Sequence, residues 1–126
     1  MSGNYLLDTN SIINILKSDN LTTKFKNSKD TFFFSVITEI ELLSYPYLTD
    51  EEEKKIREFF CKSCVINIDE FIKEDTIKLR KKYNLKIPDA LICGTALNQK
   101  LNLVTDDKIL FKVQDIKILF LKDLFL

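Results

Sequence analysis

Five short apolar runs punctuate the chain at Tyr5 to Leu7, Thr31 to Phe34, Val65 to Ile68, Leu101 to Val104 and Ile116 to Leu121, with room for helices between them. This alternation is the strongest constraint on the fold. Each run has the length and the β-prone residues of a strand. Between them, helical periodicity predicts helices over Ser11 to Lys17, Val36 to Tyr45, Asp50 to Lys62, Asp69 to Tyr83 and Pro88 to Lys100, with a shorter one over Thr22 to Asn27. Strands apolar on both faces and separated by helices predict a parallel sheet covered on each side, so the fold class is α/β. The chain of 126 residues, 45% apolar, is expected to form one domain over residues 1 to 126, since no Gly, Pro or Ser-rich stretch marks a linker. There is no internal repeat, and LTDEEEKK reads as a solvated helix start with acids at the positive end of the dipole.

Composition removes several kinds of chemistry. The apolar runs are shorter than the roughly 18 residues a membrane span needs, and the polar N-terminus lacks the apolar core of a secretory signal. The expectation is a cytoplasmic protein without membrane contact. Cys61, Cys64 and Cys93 leave an odd thiol after any pairing, which suits reduced cysteines better than an exported disulfide framework. Cys61 and Cys64 form CKSC, too few ligands for a zinc site in a chain with no histidine, so buried or helix-end cysteines are the simpler reading. The missing histidine also excludes Ser-His-Asp, Cys-His and paired-histidine catalysis. With 19 basic and 19 acidic residues the net charge is zero, and only the distribution of charge can speak for or against nucleic acid.

Four carboxylates stand in unusual places. Asp8 follows the first strand directly in LLDTN, and Asp106 and Asp107 follow the fourth in LVTDD. In an open parallel sheet, ligands bind beyond the carboxyl ends of the strands, where strand order reverses. Glu41, in SVITEIELL, falls along the edge of the apolar stripe of its helix, whereas Glu39 is expected to face water. Asp89, in KIPDALICGTA, shares a helix face with Ile92, Cys93 and Ala96 and so begins a buried stripe. Asp8, Asp89 and Asp107 also have the ordinary reading of helix caps or first-turn acids. Glu41 does not, since it lies mid-helix. Converging carboxylates would take up protons unless a cation neutralised them, and a hard divalent ion with oxygen ligands, Mg²⁺ or Mn²⁺, is the natural partner. Such an ion can polarise a phosphodiester and activate water, which is nuclease chemistry.

LLDTN, SVITxxEL, PDALIxxTAL and LVTDD, in this order and over nearly the whole chain, resemble the PIN domain, most of all the VapC-type toxins. The resemblance implies a three-layer α/β/α sandwich with a five-stranded parallel sheet of order 3-2-1-4-5, and an endoribonuclease site dependent on Mg²⁺ or Mn²⁺ at the carboxyl edge. Carried over by motif, the acids are Asp8, Glu41, Asp89 and Asp107. Glu41 is chosen over Glu39 because it comes three residues after Thr38 and directly before Leu42; Asp107 comes two after Thr105, with Asp106 as the alternative. Thr9, Asn10, Thr105 and Asp106 are expected to support the acids or the water of the ion. The resemblance further implies an RNA substrate, a small antitoxin partner and a homodimer. SYPY stands where many relatives carry a glycine, which alters a turn.

RNA needs positive charge near the acids, and Arg80, Lys81, Lys82 and Lys86 precede Asp89 while Lys108 and Lys112 follow Asp107. Their ordinary reading is a solvated helix face. Phe32, Phe33, Phe34, Phe59, Phe60 and Phe71 are expected in the core or an interface, and the apolar C-terminal run ILFLKDLFL in an edge strand or a partner surface. Two other readings stand beside the nuclease. One is a PIN-like module that grips RNA or a partner without cutting. The other is a haloacid-dehalogenase-like phosphatase, which wants a second acid where this chain has Asn10.

Overall fold

The computed structural model describes residues 3–125. Its order is β1 (Asn4–Leu7), α1 (Thr9–Lys17), α2 (Asp19–Asn27), β2 (Thr31–Ser35), α3 (Val36–Leu43), α4 (Asp50–Cys61), β3 (Cys64–Ile66), α5 (Glu70–Tyr83), α6 (Ile87–Gln99), β4 (Asn102–Val104), a 3-10 turn (Lys108–Lys112), β5 (Ile118–Leu119) and α7 (Leu121–Leu124). The five strands form one sheet of order β3-β2-β1-β4-β5, and every pairing is parallel. This is the sheet order expected above. Strand order reverses between β1 and β4, and the ends of these two strands are where an open parallel sheet takes its ligands.

Alternation along β1 builds the two covering layers. Leu6 packs with Leu79, Leu85, Ala90 and Leu103 under α5 and α6, while Leu7 packs with Ile12, Ile15, Phe34 and Val104 under α1 and α4. Both residues are fully buried, so β1 is the apolar centre of the sandwich. Its next residue, Asp8, is the first polar group the chain meets at the carboxyl edge.

Several boundaries differ from the expected ones for local reasons. α2 starts at Asp19 because the Ser18 hydroxyl accepts from the Leu21 N–H and caps it. α3 stops at Leu43, short of Tyr45, since the residue before Pro46 is driven out of helical backbone. β3 ends at Ile66, short of Ile68, because Asp69 caps α5. The last strand shrinks to Ile118 and Leu119, and the chain then turns into α7, where Leu121 is buried and the Phe125 ring lies 6.3 Å from that of Phe32. The apolar C-terminal run therefore packs inward at Leu121 and Phe125, while Leu126 lies outside the described residues. Phe71 is the exception among the phenylalanines, 72% exposed at the start of α5.

α5 and α6 approach closely at Gly94 in α6, where an added Cβ would come within 2.9 Å of the Thr76 backbone in α5. Backbone atoms cannot swing aside as a side chain can. Gly94→Ala is accordingly expected to cost about 1–3 kcal/mol, measured by urea denaturation, and an unchanged midpoint would contradict the close approach.

Candidate active site

The site begins where β1 hands over to α1. The Asp8 N–H donates to the Val104 carbonyl of β4 at 3.3 Å, and Ser11 Oγ donates to the same carbonyl at 3.1 Å, so the first acid is pinned across the strand-order reversal. Asp8 is buried, and its Oδ1 accepts from the Ser11 N–H at 2.8 Å as the cap of α1. Its Oδ2 accepts a short hydrogen bond from the Thr105 hydroxyl. The capping role and the site role thus belong to one side chain, using different oxygens.

Thr105 is fully buried and ties two acids together. Its Oγ donates to Asp8 and accepts from the Asp107 N–H at 3.0 Å, while Asp107 Oδ1 accepts from the Ile109 N–H at 3.0 Å and caps the 3-10 turn. Asp106 goes another way, its Oδ1 accepting from the Leu121 N–H at 3.0 Å at the start of α7. The adjacent acids diverge. Thr105→Val would leave the Asp107 N–H and an Asp8 oxygen without their partner, and the expected loss is about 1–3 kcal/mol by thermal denaturation. Unchanged stability would show the bridge to be dispensable.

Glu41 differs from its expected surroundings. α3 buries Thr38 and Leu42, while Ile40 and Glu41 are exposed and Glu39 is half-buried, so the apolar-stripe argument for Glu41 does not hold. What holds it is a hydroxyl: Thr9 Oγ1 donates to Glu41 Oε1 at 3.0 Å and lies 3.2 Å from Thr38 Oγ1. Thr9 therefore links the start of α1 to α3. Asn10, beside it, is exposed and makes no side-chain hydrogen bond among the described residues. Ser11 and Thr38 were not expected in this network, although Ser11 stands three residues after the Asp8 cap, where a capping partner belongs.

Asp89 lies in the first turn of α6 behind Pro88. Burial pushes its carboxyl above the ordinary aspartate range, and the nearby charges of Asp107, Asp8 and Glu41 push it the same way while Lys86 pulls it back. Asp89 thus feels the other three motif acids. One turn below, Cys93 is buried, and burial together with Asp89, Asp107 and Asp8 pushes its thiol up to about 12. Burial and these charges keep it in its thiol form at neutral pH.

The motif acids offer oxygen donors alone, which suit Mg²⁺ or Mn²⁺. No three Asp, Glu, Cys or His side chains among the described residues meet closely enough to form a ready-made metal cage.

The six basic residues are not equivalent. Lys86 reaches the acids through its effect on Asp89. Lys82 is committed elsewhere, pairing with Asp115 at 3.3 Å beside a short hydrogen bond from the Tyr83 hydroxyl to the same carboxylate. Arg80, Lys81, Lys108 and Lys112 are exposed, and none is in an ion pair among the described residues. In CKSC the two thiols are free and exposed on opposite sides: Cys64 is in register with Phe33 on the α5 and α6 face, whereas Cys61 lines a groove with Asp19 and Glu58 on the α2 and α4 side. They form no joint site.

Among the described residues, no helix is long and apolar enough to cross a membrane. A chain of the VapBC2 complex of Rickettsia felis, bound to promoter DNA, superposes with a TM-score of 0.78 at 21% identity, covering 93% of this chain and 98% of that one. A chain of DNA-bound VapBC from Salmonella typhimurium gives 0.79 at 22% identity, covering 96% and 99%. A chain of a Klebsiella pneumoniae toxin-antitoxin complex gives 0.75 at 27% identity, covering 89% and 94%. No curated protein sequence matches the chain. The sequence itself matches the PIN domain family over residues 5–116, which takes in all four acids, and the chain belongs to that family.

Proposed function

We propose that this chain is a Mg²⁺- or Mn²⁺-dependent endoribonuclease and the toxin of a toxin-antitoxin pair, restrained by a small antitoxin and acting as a homodimer. The observation that carries the reading is the Thr105 hydroxyl linking Asp8 to the backbone of Asp107 where β1 meets β4, with the Asp89 carboxyl raised by burial and by these acids. The likeness to toxin-antitoxin complexes, at up to 27% identity among those described here, supports the toxin part.

In this reading Asp8 is the fixed carboxylate, since both of its oxygens are already oriented by Ser11 and Thr105. Thr9 orients Glu41, and Thr105 couples Asp8 to the backbone of Asp107. Lys86 is near enough to Asp89 to meet the charge of an incoming phosphate. A bound Mg²⁺ or Mn²⁺ would supply the Lewis acidity that polarises the phosphodiester and activates water. The test is incubation of the purified chain with end-labelled single-stranded RNA and Mn²⁺. Internal cleavage that EDTA abolishes is expected. RNA left intact at every Mn²⁺ concentration would leave only the binding-module reading.

A further inference from the structure

Ser11 is buried in the first turn of α1, and its two hydrogen bonds serve different ends. The N–H caps the helix by donating to Asp8 Oδ1 at 2.8 Å, a bond that any residue except proline can make. The hydroxyl is not needed for that cap. It donates instead to the Val104 carbonyl of β4 at 3.1 Å, across 93 positions of sequence. The buried hydroxyls of Thr76 and Thr95 behave in the ordinary way, each donating to the carbonyl four residues back in its own helix.

The bond to Val104 closes a ring. From Asp8 Oδ1 the ring runs through the Ser11 N–H and hydroxyl to the Val104 carbonyl, along the chain to Thr105, and back through the Thr105 hydroxyl to Asp8 Oδ2. All four residues are buried, where water competes little for these bonds. Of the two donors that grip the carboxylate, one belongs to α1 and the other follows β4, so the Ser11 hydroxyl fixes their separation. The Asp8 N–H, 3.3 Å from the same Val104 carbonyl, is the longer tie. We infer that the Ser11 hydroxyl is a positioning group: by closing this ring it holds the Asp8 carboxylate in one orientation and suits the acid cluster to a small octahedral dication over a larger, more adaptable one. The inference deepens the metal-dependent reading and rests on it. Mg²⁺ demands near-ideal octahedral geometry with short bonds, whereas Ca²⁺ accepts more oxygens in flexible arrangements. A carboxylate held rigid therefore matters more to Mg²⁺.

Ser11→Ala keeps the capping N–H, and the Val104 carbonyl keeps its bond from the Asp8 N–H, so neither group loses its last partner. The melting temperature is expected to fall by only about 4 °C. Mg²⁺ and Ca²⁺ are then titrated separately into the metal-free protein by calorimetry at pH 7. Mg²⁺ affinity is expected to drop about tenfold and Ca²⁺ affinity to stay within about twofold. Ser11→Cys, of nearly the same size with a weaker donor, should fall between wild type and alanine, and it carries the test if the alanine variant fails to fold. Thr22→Val removes a hydroxyl bond from α2 to the Ile15 carbonyl, and should lower stability without changing the ratio of the two affinities. A Ser11→Ala variant whose two affinities fall together, or do not change, overturns the inference while the metal-dependent reading stands. An equal shift of the ratio in Thr22→Val overturns it as well. Wild-type protein that takes up neither ion removes the metal-dependent reading and the inference with it.

Discussion

Asp8→Asn is expected to lower Mn²⁺-dependent RNA cleavage by about a thousandfold with little loss of stability. The two effects separate because of how Asp8 is held. The amide oxygen can keep the bond from the Ser11 N–H, so the cap of α1 survives. The amide nitrogen can then donate to Thr105 Oγ, which already accepts from the Asp107 N–H and has a second lone pair free. What disappears is the negative charge and one carboxylate acceptor. Rate assays and a melting curve on the same preparation read both. A variant that cleaves within tenfold of wild type would remove Asp8 from the catalytic group, and one that fails to fold would show the cap to be its main role.

Asp89→Asn carries the second large effect, in two directions. Cleavage is expected to fall by a hundredfold or more, because the half-buried acid of α6 is lost from the cluster. Metal-free stability at pH 7, by contrast, is expected to rise by about 3 °C in melting temperature. The sign follows from linkage: the folded carboxyl is raised by burial and by Asp107, Asp8 and Glu41, so the folded state holds its proton more tightly than the unfolded chain does. The contribution of Asp89 to stability is therefore full below the unfolded value, roughly pH 4, and is lost as pH rises through the raised folded value. The asparagine variant does not titrate, so its advantage should close as pH falls toward 4. A difference that stayed constant with pH would mean that folding does not raise the Asp89 carboxyl.

Both effects are legible in part from the sequence, and the parts that are not share a cause. Strand runs and helix periods are local patterns, and they gave the sheet and its layers because Leu6 and Leu7 have little choice but to face opposite cores. The divergence of Asp106 from Asp107 is not local. It depends on Leu121, fifteen residues away, offering its N–H to one of them. The exposure of Glu41 is not legible because the apolar residues of VITEIELL lie around most of α3, and the face it buries is marked by Thr38 and Leu42, not by an apolar stripe. Likewise Lys82 and Asp115 are separated by 33 positions, and nothing in the basic run marks Lys82 as the one drawn away. Short β5 escaped for a related reason: ILFLKDLFL is apolar at either period and is divided only by the turn into α7.

Titration calorimetry of Mn²⁺ into the metal-free protein at pH 7 goes most directly to the central claim, that these carboxylates share one pocket made for a divalent ion. Wild type and Asp106→Asn are expected to take up Mn²⁺ with similar affinity, and Asp8→Asn to bind at least about tenfold more weakly. Wild-type protein that takes up no Mn²⁺, or three proteins that bind it alike, would contradict the account.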